Sequence, residues 1–274
     1  MLFFRMPRVR ILLPSVLLLG GALAAGLALR SIKGALAAEA QGAVQRIPVV
    51  VELFTSEGCS SCPPADALLA TLQRTQPVAP AEILALEEHV DYWDGLGWHD
   101  RFSSHDITER QSAYARRFGL DDNYTPQMIV DGAAQFVGND RSQALQAITR
   151  AARTAKLAVS IQALLLNGNR ITGHVGLPGS TPAGADLYAA LVQPTASTQV
   201  LHGENGGHTL NHVSVVRALA RIPNVRAGAP IDFSLALPKD VPAAGLRVIV
   251  FLQAKGQGPM LAAASASLPS GQIP

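Results

Sequence analysis

Cys59-Ser60-Ser61-Cys62 holds the only two cysteines of a 274-residue chain, and its flanks fix what kind of turn it is. A Val-rich apolar run, residues 48–54, leads in. Pro63-Pro64 and a stretch with Leu68, Leu69 and Leu72 at helical spacing, residues 65–76, lead out. Proline suits the first turn of a helix and not its interior, so the helix is expected to open at Pro63, after both cysteines. Two thiols on a strand-to-helix turn can close a small disulfide and reopen it by thiol–disulfide exchange. The same pair can form a permanent disulfide or supply half of a metal site. A zinc site of four thiolates is excluded within one chain.

Around this turn the hydrophobic period switches between helix and strand. Residues 83–90 read as a second strand. Residues 106–118 read as a helix with Ile107, Tyr114 and Phe118 on roughly one face. Asp131-Gly132 between residues 127–130 and 135–137 is a hairpin signal. Residues 140–154 form a last amphipathic helix capped by Asn139 or Asp140. After Ala155 the period becomes two. Residues 157–165 alternate, Asn167-Gly168 turns the chain, and further strands are expected at 187–192, 208–216, 231–237, 246–253 and 260–267. The fold class expected is α/β, with a β-α-β-α-β-β-α domain over residues 46–155 followed by an antiparallel β-sandwich-like domain over residues 156–270.

The N-terminus carries Arg5, Arg8 and Arg10, then an uncharged run at residues 11–29, then a small-residue stretch at residues 35–40. These are the parts of a secretory signal, and residues 1–40 are read as a signal peptide or an N-terminal membrane anchor. The run is just long enough to span a bilayer, so anchoring through residues 11–29 is the alternative to cleavage. Either way the body is expected in an oxidising space, periplasmic or secreted, or held at the inner membrane. Net charge is +2 with scattered basic residues, so no nucleic-acid partner is implied. No cofactor is implied either.

The element order, the C-x-x-C after the first strand and Thr125-Pro126 before the hairpin resemble the thioredoxin fold. The longer stretch from Glu52 to Asp66, with the segment from His89 to Asp94 and Glu204-Asn205-Gly206-Gly207, resembles a family of secreted bacterial thioredoxin-like proteins known only as a domain of unknown function. The resemblance implies that Cys59 is the exposed, attacking thiol and that Cys62 resolves the mixed disulfide. It implies a cis Pro126 that presents the Thr125 backbone to an extended substrate. Glu52, on the strand before the motif, is a further catalytic candidate as proton relay to Cys62. The expected partners are protein or small-molecule thiols and disulfides, and the function expected is an exported thiol–disulfide oxidoreductase. The competing readings are a non-catalytic thioredoxin-like binding module and a metallochaperone.

Two other constellations stand out. The segment from His89 to Phe102 holds both tryptophans and is either a substrate-contact wall or a packed loop; His89, Asp91 and His99 within it are a weaker metal set. His202, His208 and His212 are either a metal-binding group or solvent-facing strand residues. The Glu204-Asn205-Gly206-Gly207-His208 turn is expected to lie near Cys59.

Overall fold

The computed structural model describes residues 46–269, except 180, 181, 183, 224, 226, 227 and 243. The expected leader and anchor, residues 1–40, lie outside the described residues. Within the described residues, no helix is long and apolar enough to cross a membrane.

The first half runs β1 (Ile47–Thr55), α1 (Pro63–Thr75), β2 (Ala81–His89), α2 (His105–Phe118), β3 (Gln127–Val130), β4 (Ala134–Val137) and α3 (Arg141–Ala151). The second half is all strand: β5 (Ser160–Asn167), β6 (Arg170–Gly176), β7 (Asp186–Gln199), β8 (Thr209–Ile222), β9 (Ile231–Ala236), β10 (Arg247–Gln253) and β11 (Met260–Ser267). The fold is mixed α/β. One eight-stranded mixed sheet has the order β11-β10-β7-β8-β2-β1-β3-β4, and a three-stranded antiparallel sheet has the order β5-β6-β9.

Local chemistry accounts for the boundaries. α1 starts at Pro63 with Cys62 as its N-cap, as the two prolines require. α3 starts where the Asp140 side chain accepts a hydrogen bond from the Gln143 amide. β3 and β4 are joined through Asp131 and Gly132, both at positive φ (57° and 62°). At Gly132 a Cβ would also lie 2.3 Å from the Gly258 carbonyl oxygen, so two constraints select glycine there.

β1 and β2 are parallel, and β1 also pairs antiparallel with β3. Alternation along β1 splits its side chains between two cores. Val49, Val51 and Leu53 face α1 and α3, whereas Val50 and Phe54 join the cluster that contains Ile107 and Tyr114 of α2. β2 divides in the same way, with Ile83 and Ala85 on the first face and Leu84 and Leu86 on the second. A third core lies between the three-stranded sheet and β7, β10 and β11.

The second half is not separated from the first by a gap in the sheet. β8 lies beside β2, parallel to it, with Glu87 opposite Val215. Val192, Val216, Ile249 and Phe251 of the second half share a core with Val50, Phe54 and Tyr114 of the first.

Candidate functional site

β1 ends at Thr55 and the chain turns through residues 56–62 before α1 begins. The turn is closed by its own backbone, with the Cys59 amide donating to the Ser56 carbonyl and the Cys62 amide to the Cys59 carbonyl. Cys59 and Cys62 form a disulfide with their Cα atoms 5.4 Å apart. The Cys62 carbonyl accepts from the Ala65 and Asp66 amides, which puts this sulfur at the positive end of α1.

Both cysteines are 0% exposed, whereas Ser60 and Ser61 between them face solvent. The expected difference in accessibility between the two sulfurs is absent. A strap from the second half, residues 203–207, is hydrogen-bonded to the same turn. The Asn205 side-chain amide donates to the carbonyls of Glu57 (2.9 Å) and Cys59 (3.0 Å). Glu204 accepts from the Ser60 amide at 3.0 Å. The turn expected near Cys59 is therefore seated on it.

The aromatic segment after β2 packs against the same turn. A Cβ on Gly58 would stand 3.1 Å from the Trp93 Cβ, and Trp93 Nε1 donates to Thr125 Oγ1 at 2.9 Å. The Thr125-Pro126 peptide is cis, as expected. Trp93 thus spans from the disulfide turn to the cis proline. Trp98 Nε1 donates to Glu57 Oε2 at 2.8 Å. A surface hollow of about 730 Å³ beside α2, lined by Tyr92, Thr108 and Asn123 among others, does not include the cysteines.

Glu52 is not brought to the cysteines. Its even position on β1 sends it to the α2 face, while Thr55 points the other way. There Glu52 accepts from Arg110 Nε (2.7 Å) and Tyr114 Oη (2.6 Å). Arg110 is buried among Tyr114, Tyr188 and Phe251, and also donates to Gln253. Burial works against its charge, but Glu52, Tyr114 and Glu88 together outweigh burial and raise its pKa. Glu88 on the same face is fully buried, with no hydrogen-bond partner among the described residues. Burial, then the Glu52 charge, push its pKa well up against the opposing pull of Arg110.

The acid on the cysteine side is Asp66, one helical turn after Cys62. It accepts from Thr55 Oγ1 at 2.8 Å. Burial, then the nearby Glu87 charge, raise its pKa to about 7. Beyond it lies a buried chain of acids and histidines. His89 Nδ1 meets Asp100 Oδ2 at 2.7 Å, and His212 Nδ1 meets Glu87 Oε1 at 2.6 Å. His212 Nε2 is 3.4 Å from Glu57 Oε1. Burial alone would lower both histidines. Asp100 reverses this for His89, which is raised well above its usual value, and Glu57 and Glu87 raise His212 to about 9. Burial would raise Asp100, but His89 brings it down to about 2.

The suggested metal sets do not assemble. His89 joins Glu87 and Asp100, Asp91 binds Thr108 and His105, and His99 is exposed beside Asp94. Of His202, His208 and His212, only His212 is buried. Asp66, Glu57, Glu87, Asp100 and Asn205 were not legible as site residues. Glu57 and Asp66 lie in the stretch around the cysteines, Asp100 in the aromatic segment and Asn205 in the strap sequence, so only Glu87 has no positional signal.

Fold and site together define a mixed α/β protein whose disulfide-closed C-x-x-C turn is backed by a buried network of acids and histidines. The family model described as "Protein of unknown function (DUF1223)" matches residues 50–253, and the chain belongs to that family. Among solved structures it is similar to protein AGR_C_4864 from Agrobacterium tumefaciens, known from an X-ray crystal structure. The two are 28% identical with a TM-score of 0.63, over 85% of this chain and 99% of the other. No curated protein matches the chain significantly.

Proposed function

We propose that this chain is an exported thiol–disulfide oxidoreductase. In this reading residues 46–155 are a thioredoxin-like domain and residues 156–270 a sandwich-like domain that covers its redox turn. The observation that carries the reading is the Cys59–Cys62 disulfide itself, formed where β1 meets the N-terminus of α1. The sheet portion β2-β1-β3-β4 and the Trp93 side chain that links the disulfide turn to Thr125 support it.

In the reducing direction the Cys59 thiolate attacks a substrate disulfide. A Cys59–substrate disulfide forms and one substrate thiolate leaves. The Cys62 thiolate then attacks Cys59 Sγ, closes the internal disulfide and releases the second substrate thiolate. Two electrons pass from the dithiol to the substrate, and the leaving thiolates take up protons from solvent. Asp66, one turn along the helix from Cys62, is the acid on the cysteine side that can accept the Cys62 proton. Glu52 has no part in this, because Arg110 and Tyr114 hold it on the other face of β1.

The burial of both sulfurs favours a second reading, a binding module with a permanent disulfide. The reduction potential of the pair in metal-free protein separates the two. A working couple is expected above about −300 mV, and a more negative value assigns the bond a structural role. Trapping of mixed disulfides by a Cys62→Ala variant in the periplasm of an expressing cell is the companion test, and an empty trap counts against exchange.

A further inference from the structure

Glu87 and His89 are two residues apart on β2 and therefore share a face, and β8 brings His212 beside them. One ligand atom from each of the three lies within 4.8 Å of the others, and all three side chains are buried. The exchange reaction uses none of them.

Two imidazole nitrogens of this cluster face one carboxylate oxygen, Glu87 Oε1: His212 Nδ1 at 2.6 Å and His89 Nε2 at 3.6 Å. His89 is turned by Asp100 at Nδ1, which leaves Nε2 buried without a hydrogen-bond partner, 3.6 Å from Glu87 Oε1. His212 is held by Glu87 at Nδ1, and its Nε2 is likewise buried and unpartnered. Glu57 Oε1, 3.4 Å from that nitrogen, is unpartnered too. Leaving one such atom without a partner costs about 1–3 kcal/mol, and His89 Nε2, which faces a carboxylate oxygen already engaged by His212, calls for an explanation. A carboxylate on the far nitrogen of an imidazole is the arrangement that orients histidine ligands at metal centres. Two imidazoles and a carboxylate are borderline donors that suit zinc and its late first-row neighbours.

We propose that Glu87 Oε1, His89 Nε2 and His212 Nδ1 bind a divalent transition-metal ion, which takes the place of the proton between His212 and Glu87, with Asp100 and Glu57 on the far nitrogens positioning His89 and His212. The ion sits behind the disulfide turn and does not require its thiols.

The test uses the full chain with its disulfide oxidised, so that no thiolate can bind. The protein is refolded with zinc chloride, dialysed exhaustively against metal-free buffer, and its zinc content measured. One zinc per chain is expected. His89→Gln and His212→Gln are each expected to weaken binding at least tenfold, and Asp100→Asn by roughly 10- to 100-fold. A His202→Ala/His208→Ala chain is expected to retain the ion, because both of those residues are exposed. Zinc-free oxidised wild type, or zinc retained undiminished in the His89 and His212 variants, overturns the proposal. Cobalt(II) bound to wild type keeps the test open should those variants not fold. Intense visible bands of a low-coordinate nitrogen and oxygen site support the proposal, and the weak spectrum of hydrated cobalt overturns it.

Discussion

Asp66 carries a proton that the folded chain binds more tightly than the unfolded one. Its usual pKa of 3.8 rises to about 7 through burial and the Glu87 charge. Below 3.8 both states are protonated and nothing is lost. Between 3.8 and about 7 the unfolded chain ionises first, so stability falls as pH rises. Asparagine keeps an acceptor for Thr55 Oγ1 and cannot ionise. Asp66→Asn is therefore expected to be more stable than wild type at pH 8, by on the order of 2 kcal/mol, with the gap closing toward pH 4. Urea unfolding at the two pH values measures it, and an equal gap at both would rule out a buried ionising carboxylate. The contrast between Asp66 and Glu52 shows what a sequence offers at this scale. Strand parity already separates Glu52 from Thr55 and hence from the cysteine side. Asp66 instead reads as an ordinary acid in the first turn of a helix. It feels the charges of Glu87, which raises its pKa, and of His212, which lowers it, and the latter lies 125 residues from the Glu87 it binds.

Elements came through where the signal was local. The Pro63 start of α1, the Asp131-Gly132 hairpin and the 260–267 strand all follow from neighbouring residues. The hairpin offers a direct check. Gly132→Ala places a Cβ at positive φ and against the Gly258 carbonyl, and is expected to destabilise by on the order of 2–4 kcal/mol in denaturant unfolding. A loss below about 0.5 kcal/mol would mean that the turn relaxes freely. The strap at residues 203–207 was legible only as a turn with an expected neighbour, and its hydrogen bonds were not. Asn205 supplies two of them, to Glu57 and Cys59. Removing them lowers the barrier to lifting the strap. Asn205→Ala is expected to speed reduction of the disulfide by dithiothreitol roughly 30-fold, since two net hydrogen bonds at about 1 kcal/mol each are lost. Stopped-flow thiol detection reads the rate, and an unchanged rate would show that the strap does not limit access.

The molecule as a whole is held by contacts that no local pattern announces. The change of period after Ala155 reads as a domain boundary, yet β8 continues the sheet at β2 and one core draws on both halves. Edge pairing between strands more than a hundred residues apart leaves no periodic trace, because each strand shows only its own alternation. Arg110 concentrates this coupling. It joins Glu52 of β1 to Gln253 of β10 and lies among Tyr114, Tyr188 and Phe251, rings contributed by α2, β7 and β10. Its removal leaves Glu52 buried without its cation and Glu88 beside it. Arg110→Ala is therefore expected to cost about 3–5 kcal/mol, as does breaking a buried ion pair from one side. The same coupling predicts one calorimetric transition for residues 46–269, with equal calorimetric and van't Hoff enthalpies. A chain ended at residue 155 would expose the β8-facing edge of β2 and strip Arg110 of Gln253, Tyr188 and Phe251, so it is expected not to fold on its own. Two separate transitions, or a truncated chain with dispersed amide resonances and full helix content, would show instead that the first half folds without the second.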